Sequence, residues 1–473
     1  MIQLREQTTV DRTALDCFRY LADLRTLVEW DQSVRRVTKL SRGPIGKGTN
    51  FKVVVRLGRF PLTMTYTVTQ YVPGRCIVIS GRSFLLTVTD TIEFTETADG
   101  TVIAYAADFH FHLGLESFIK RNPQATETLG KVAISGLKKA LNDEPAPPVI
   151  SPENEKNDTQ TLRALRCFTR YGYLKGLKRW APMSERLEGR HIVITGANSG
   201  IGLASAVALA EAGASLTLVV RNAEKAVNTK DILFNETGRD DFHFEYCDLS
   251  LVNETERLID RLLARSTAVD VLINNAGALF NDHRVTSEGL ENSFALLLLT
   301  PWRLTEGLLP LLQNHETKAR VINVVSGGMY AERLNMNRLN VGADGYRGAR
   351  AYAQCKRALS VLTELWAERW QESNISVNAM HPGWSDTPGV QKSLPGFRFL
   401  TQAVLRDHAE GADTIVWLAR SRQGDDLSGK LFLDREPRST YLLGNHVEPD
   451  DERAKLSDFL TKHYESVIAK TAG

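Results

Sequence analysis

No run of this 473-residue chain stays apolar for the roughly 20 residues that a membrane-spanning helix needs, so the sequence predicts no transmembrane segment. Cysteine is scarce. Cys17, Cys76, Cys167, Cys247 and Cys355 are scattered and odd in number, which excludes a disulfide framework and offers no zinc spacing, so no metal is expected. An excess of charge is missing too: 58 Lys and Arg against 56 Asp and Glu leave a net +2, and nothing in that balance calls for nucleic acid. Met1 is followed by Ile2-Gln-Leu-Arg-Glu-Gln rather than by a basic and then an apolar stretch, so no secretory leader is read and a cytoplasmic location is expected. There is no internal repeat. What is present, 42% hydrophobic and 24% charged residues, is ordinary globular composition at a length suited to two or three domains.

The chain divides where large apolar side chains run out. Residues 143–158 are rich in proline and charge, which predicts an extended, solvated connector between a domain over 1–142 and the remainder of the chain. In the first domain Asp11 can cap a helix carrying Leu15, Phe18, Leu21 and Leu24 toward a core. Met64, Tyr66 and Val68, then Ile103, Tyr105, Phe109 and Phe111, show the period of two of half-buried strands. A last helix carries Ala125, Leu129, Val132, Gly136 and Leu137. These elements predict an α+β domain in which a curved antiparallel sheet grips a helix. Together with Leu27-Val-Glu-Trp30 after the first helix, the order resembles the START-like (polyketide cyclase/SRPBCC) superfamily over residues 1–141. That resemblance implies an apolar ligand held between sheet and last helix, in a binding rather than a catalytic role. Asp108, His110 and His112 share one strand face and could be metal ligands or a general base; the polar, solvated side of an antiparallel sheet explains them better.

Residues 159–188 form a basic, aromatic segment. Arg163, Arg166, Arg170, Lys175, Lys178 and Arg179 alternate with Phe168, Tyr171, Tyr173 and Trp180, a composition suited to peripheral contact of 162–180 with an anionic membrane surface. Yet Leu162, Leu165, Phe168, Tyr171, Leu174, Leu177 and Trp180 recur every three residues and drift about 60° per step around a helix, so one flat apolar face is not available. Two short helices broken near Gly172 or Gly176 and packed on the following domain fit equally well.

From residue 189 to 473 the order strand, glycine loop, helix, strand predicts a doubly wound parallel α/β sheet. Ile192-Val-Ile194 is a buried strand, and the glycines of Thr195-Gly-Ala-Asn-Ser-Gly200-Ile-Gly202 let backbone N–H groups and a helix N-terminus approach a pyrophosphate. Further on, Tyr352-Ala-Gln-Cys-Lys356 places a phenol and an ammonium on one helix face. Free tyrosine titrates near pH 10, and a neighbouring cation is what brings it toward neutrality.

The glycine loop, Asp248, Asn274-Asn-Ala-Gly277, Ser326, Tyr352 and Lys356, in this order, resemble the short-chain dehydrogenase/reductase family over residues 189–432, with its Rossmann fold. The resemblance implies that Thr195, Gly196, Asn198, Ser199, Gly200, Ile201 and Gly202 line a cofactor diphosphate and that Asp248 and Leu249 meet the adenine. By the same resemblance Asn275, Ala276 and Gly277 support the central sheet and the ribose side, and Thr387, in Pro382-Gly383-Trp-Ser-Asp-Thr387, contacts the nicotinamide carboxamide or a phosphate. Tyr352 is then the general acid/base, aided by Lys356, which also holds the nicotinamide ribose, and by Ser326, which donates to the same substrate oxygen. Arg221 after the second strand, where a carboxylate would repel a 2′-phosphate, favours NADP(H) over NAD(H).

The sequence departs from the family at Phe294-Ala-Leu-Leu-Leu-Leu-Thr300, which puts Leu297 where an asparagine usually helps hold a water beside the lysine. Proton relay could then run through Thr300, catalysis could be slow, or the helix could be locally rearranged. Two functions are open: an NADP(H)-dependent oxidoreductase acting on a carbonyl or alcohol of a lipophilic substrate, or a lipid-binding regulator whose Rossmann domain binds cofactor without turning over. The resemblance also implies homodimer association through the helices carrying Phe294 and Tyr352, unless the added domain blocks it. Residues 388–406 read as a lid with no legible specificity.

Overall fold

The computed structural model of the chain describes residues 2–57, 60–112, 123–142, 147–181, 183, 185–313, 317–442 and 448–472. It forms two compact units, Met1–Pro145 with Leu177–Ser184, and Ala146–Gly176 with Glu185–Gly473.

In the first unit, strands β1 (Ile2–Val10), β2 (Val34–Lys39), β3 (Asn50–Leu57), β4 (Phe60–Val72), β5 (Cys76–Arg82), β6 (Leu86–Thr97) and β7 (Gly100–Phe111) build one antiparallel sheet in the order β1-β7-β6-β5-β4-β3-β2. Their alternation puts Leu86, Val88, Ile92 and Phe94 of β6 on the buried face. Thr13, not Asp11, caps the first helix, Ala14–Ala22, its hydroxyl accepting from the Asp16 N–H at 3.1 Å. Cys17, Phe18 and Leu21 are buried, whereas Leu15, expected inward, is exposed. The Phe18 ring meets Tyr71 and Phe94 edge-on at 4.9 and 5.6 Å. On the last helix, Pro123–Asn142, Ile134, Leu137 and Leu141 are buried and Val132 turns outward; the side chains of Ala125 and Leu129 lie outside the described residues. Gly136 matters because any Cβ there would overlap the Trp30 carbonyl, so glycine permits the close approach of helix and chain. On the opposite sheet face Asp108 accepts from the Arg5 guanidinium at 2.9 Å, and His112 lies beside Thr87.

The second unit holds an eight-stranded sheet in the order β10-β9-β8-β11-β12-β13-β14-β15. Its strands are β8 (His191–Thr195), β9 (Ser215–Val220), β10 (His243–Tyr246), β11 (Val271–Asn274), β12 (Ala319–Val324), β13 (Ile375–Met380), β14 (Leu431–Leu433) and β15 (Glu436–Arg438). All pairings are parallel except β14 with β15, and the order reverses at β8 and β11, the switch point where an open α/β sheet offers a crevice. Both faces are covered, which is why Ile192, Val193, Ile194, Leu272, Val321 and Val377 are all buried.

The expected connector is only partly extended. Pro152–Asp158 is a helix started by Ser151, and its last residue, Asp158, is buried in an ion pair with Arg438 of β15, both side chains at most 4% exposed. A charge-rich segment had looked solvated because its acid and the base that neutralises it lie 280 residues apart. Removing one member of a buried pair strands the other, so Asp158→Ala is expected to cost about 3–5 kcal/mol, read as a fall in the midpoint of denaturant unfolding.

The basic aromatic segment is also two helices, but broken at Thr169 rather than near Gly172 or Gly176: Thr161–Phe168 and Arg170–Gly176. Gly172 serves the close turn instead, since a Cβ there would overlap the Cys167 carbonyl. Phe168 is buried, and Arg406 donates to the carbonyls of Cys167 (2.7 Å) and Phe168 (3.2 Å), which ties this segment into the α/β unit. Leu162, Tyr171 and Leu174 remain exposed. Among the described residues no helix is long and apolar enough to cross a membrane.

The helices expected to associate with a second copy are covered by the chain itself. The final helix, Asp450–Ala472, sets Phe459 and His463 against Phe294 (5.9 and 5.2 Å) and Tyr464 against Trp302 (6.0 Å), and Arg453 pairs with Glu364 and Glu368. Leu456, Leu460 and Val467 complete the seam.

Candidate active site

The glycine loop leaves β8 and enters the helix Gly200–Glu211. Gly196 and Gly200 take φ of +69° and +56°, a region that side chains disfavour, and a Cβ on Gly196 would sit 2.8 Å from Ala276 Cα. A Cβ on Gly202 would overlap the Gly196 carbonyl and the Asn275 amide. Asn275 holds this turn from behind, donating to the Thr195 carbonyl at 2.8 Å and, more weakly, to that of Gly196 at 3.3 Å. The Thr195 hydroxyl accepts from the N–H groups of Asn275 and Ala276, both at 3.0 Å. Ser199, extended and exposed, makes no side-chain cap, so the first N–H groups of the helix, with Asn198 and Ile201 beside them, are left without a side-chain partner at the N-cap. Uncapped N–H groups on a 12-residue helix, approached by glycine alone, can take an anion such as a diphosphate.

Arg221 follows β9 directly and is 74% exposed, with its guanidinium 3.9 Å from Asp248. Asp248 itself is turned by Ser250, whose N–H and hydroxyl both donate to Oδ1, and Leu249 is buried behind it. The sequence showed no acid beside Arg221; the fold supplies one, but at that distance and exposure the pair is weak and the arginine stays available.

Ser326 stands just past the end of β12, and its Oγ accepts from the Gly328 N–H at 3.2 Å. Tyr352, on the helix Gly348–Arg369, is close enough for the Ser326 hydroxyl to act on its phenol. Burial pushes the Tyr352 phenol above its usual range, and the Ser326 hydroxyl draws it part of the way back down. Lys356, one turn on and 3% exposed, donates from Nζ to the Val324 carbonyl at 2.6 Å, and burial pulls it down to about 8. The expected lowering of Tyr352 by Lys356 is therefore absent here: the ammonium is engaged by the strand end, and burial governs both groups.

Leu297 lies in a π-helical turn, Ala295–Leu299, between Asn292–Phe294 and Thr300–Gly307, so this helix is locally rearranged. A Cβ on Gly277 would be 3.1 Å from Leu297 Cδ2 and 3.7 Å from Lys356 Nζ, which sets an isobutyl group close beside the lysine. Thr300 does not serve as a relay: its hydroxyl donates to the Leu249 carbonyl at 2.6 Å and is buried.

Residues 382–387 lead from β13 into the segment 388–406. Gly383 takes φ of +68° and is hemmed in by the Arg406 guanidinium and the Phe168 carbonyl. Thr387 caps the helix Pro388–Ser393 and lies over the glycine loop, its Cβ 3.7 Å from where a Cβ of Gly200 would be. A wall that sequence reasoning missed stands behind Ser326. Phe168 stacks on Tyr330 at 5.9 Å and meets His381 edge-on at 4.7 Å, and a Cβ on Gly327 would touch the Phe168 ring at 3.2 Å. His381 is driven well below its usual range by burial and accepts the Gly383 N–H at Nδ1, so its ring is neutral there. The spacing of three in this segment had allowed two short helices packed on the following domain, but it gave no sign that Phe168 would meet residues as remote as Tyr330 and His381.

A family model described as short chain dehydrogenase matches residues 190–396, and one described as polyketide cyclase / dehydrase and lipid transport matches residues 1–141. The chain is 38% identical to human (Homo sapiens) dehydrogenase/reductase SDR family member 12 over 302 residues, 63% of this chain and 94% of that protein. It is 29% identical to human retinol dehydrogenase 13 over 259 residues, 53% of this chain and 78% of that one. Among solved structures, a Pseudomonas aeruginosa RhlG/NADP active-site complex aligns with TM-score 0.43 and 26% identity, covering 52% of this chain and 95% of that one.

Proposed function

The chain belongs to the short-chain dehydrogenase/reductase family, with an N-terminal polyketide cyclase-like domain, and from that premise we propose an NADP(H)-dependent oxidoreductase that interconverts a carbonyl and an alcohol on a lipophilic substrate. The observation that carries it is the clustering of Ser326, Tyr352 and Lys356 at the end of β12, where Lys356 donates to the Val324 carbonyl, in the same unit as an uncapped, glycine-lined helix N-terminus.

The residues suit the cofactor. The N–H groups at the start of Gly200–Glu211 would hold the diphosphate, Asp248 and Leu249 would meet the adenine, and Pro382, Gly383 and Thr387 would serve the nicotinamide end. The bound nicotinamide supplies or accepts the hydride. In reduction Tyr352 gives its proton to the developing alkoxide while Ser326 donates a hydrogen bond to the same oxygen; oxidation reverses both. Lys356 leaves the Val324 carbonyl to hold the ribose and the phenolate that forms. The cyclase-like domain binds the apolar molecule and, joined to the enzyme by one chain, raises its concentration near Tyr352. The test is NADPH consumption by the full chain against lipophilic ketones and aldehydes.

Leu297 beside Lys356 favours a second reading, a lipid-binding regulator that holds cofactor without turnover. Wild-type protein that binds NADPH tightly yet reduces none of the panel would establish it. Cofactor choice has its own test. Arg221→Glu, which sets a carboxylate against the 2′-phosphate, is expected to weaken NADPH relative to NADH by roughly tens of fold, the loss of about 1.5–3 kcal/mol, measured as the ratio of the two dissociation constants.

A further inference from the structure

The cyclase-like unit buries a carboxylic acid in the middle of its apolar sheet face. Along β6 the inward positions are Leu86, Val88, Asp90, Ile92 and Phe94, and Asp90 is as buried as its neighbours. It pairs with Ile79 of β5 and Ala107 of β7. Isolated charge at such a place is costly, and a carboxyl is kept there only where something hydrogen-bonds to it.

One partner is present. The Tyr105 hydroxyl, inward on β7, donates to Asp90 Oδ1 at 2.7 Å. The other oxygen has no partner among the described residues. Tyr66, inward on β4 and packed over Gly81, is the second tyrosine of this face, and its hydroxyl finds only the Met64 sulfur at 4.0 Å. In the same core the Trp30 indole N–H is buried without an acceptor among the described residues. Tyr66 and Tyr105 are only partly buried although they face inward, so this face is not fully packed.

The electrostatics around Asp90 are one-sided. The charged groups that act on it are both acidic, Asp31 and, through the sheet, Asp108, whose own charge is paired with Arg5 on the opposite face. A second carboxylate brought to this face would meet repulsion and burial together. A hydroxyl, by contrast, donates to the open Asp90 oxygen and loses far less hydration than an ammonium would.

We propose that the inner sheet face of the cyclase-like unit is a binding site for the hydroxyl end of an uncharged lipophilic alcohol, with Asp90 as acceptor, Tyr105 holding that carboxyl in place, and the buried, apolar surroundings of Asp90 rejecting the charged head of a fatty acid. The inference rests on the reading that this unit holds an apolar ligand and narrows it to the alcohol class that the dehydrogenase unit would oxidise or release.

The full-length protein, loaded with the neutral dye Nile red, is titrated with hexadecanol, hexadecane, palmitate and hexadecylamine. Hexadecanol is expected to displace the dye at roughly tenfold lower concentration than hexadecane or palmitate, the effect of one well-placed hydrogen bond. Asp90→Leu is expected to erase that preference while hexadecane binding is kept, and because its dehydrogenase unit is unaltered it also controls for dye bound there. Tyr105→Phe supplies an independent variant should Asp90→Leu fail to fold, and is expected to reduce the same preference. Displacement by all four chains alike, or best by palmitate or hexadecylamine, overturns the head-group inference and leaves the apolar-ligand reading standing. Displacement by none overturns both.

Discussion

Tyr352→Phe is expected to lower kcat/KM for NADPH-dependent ketone reduction by about 10²–10⁴ while leaving the dissociation constant for NADPH unchanged. The substitution removes the phenol hydroxyl and with it the proton donor. The ring keeps its place in the helix Gly348–Arg369, and the cofactor contacts drawn from the glycine loop do not involve the phenol oxygen. Because burial holds Tyr352 above its ordinary range, the phenol is protonated at neutral pH, the form that serves reduction. Oxidation needs the phenolate, so alcohol oxidation by the wild type is expected to climb with pH through the alkaline range while reduction stays level until another group titrates. Stopped-flow NADPH oxidation beside fluorescence titration separates chemistry from binding. Equal rates for wild type and variant, with intact binding in both, would remove the proton-transfer role.

Motifs carried by adjacent residues were legible in the sequence, and so was the strand Ile192–Ile194 before the glycine loop, because glycine loops and continuous apolar runs are local signals. Groups whose meaning depends on a distant partner were not. Asp158 read as part of a solvated connector because Arg438, which buries it, is remote in sequence. Phe168 fitted either a membrane-facing pattern or a helix packed on the following domain, and its partners there, Tyr330 and His381, could not be named from the sequence. The final helix drew no expectation at all, yet it covers Phe294 and Trp302. In the first domain the period of two located Tyr66 and Tyr105 but gave no hint that Asp90, a residue type rarely buried, stood between them. Helix faces were read correctly at Phe18, Leu21, Leu24 and Leu137 but wrongly at their edges: Leu15 and Val132 turned out while Cys17 and Ile134 turned in.

Lys356→Met should produce an enzyme that is more stable and nearly inactive. In the absence of cofactor the ammonium is buried, its one hydrogen bond runs to the Val324 carbonyl, and its pKa falls to about 8 from an ordinary value near 10.4. Between those two values the unfolded chain binds a proton that the native chain does not, so stability of the cofactor-free protein rises with pH through this window and the full penalty is present below it. Methionine fills the same space without charge and should return on the order of 3 kcal/mol at neutral pH and flatten that slope, seen in urea unfolding at pH 7 and pH 10. Function should move the other way. Losing the cation that holds ribose and phenolate is expected to cost about 10²–10³ in kcat and to weaken NADPH as well, a double effect that Tyr352→Phe lacks. In the wild type kcat/KM for reduction should decline above about pH 8, as the free enzyme loses the Lys356 proton. The Leu297 side chain sharpens this expectation, since an apolar group beside Nζ offers the ammonium no hydrogen bond and leaves its charge dependent on the bound cofactor. A profile flat from pH 7 to pH 10, or a methionine variant with wild-type turnover, would show that the lysine takes no part in the reaction.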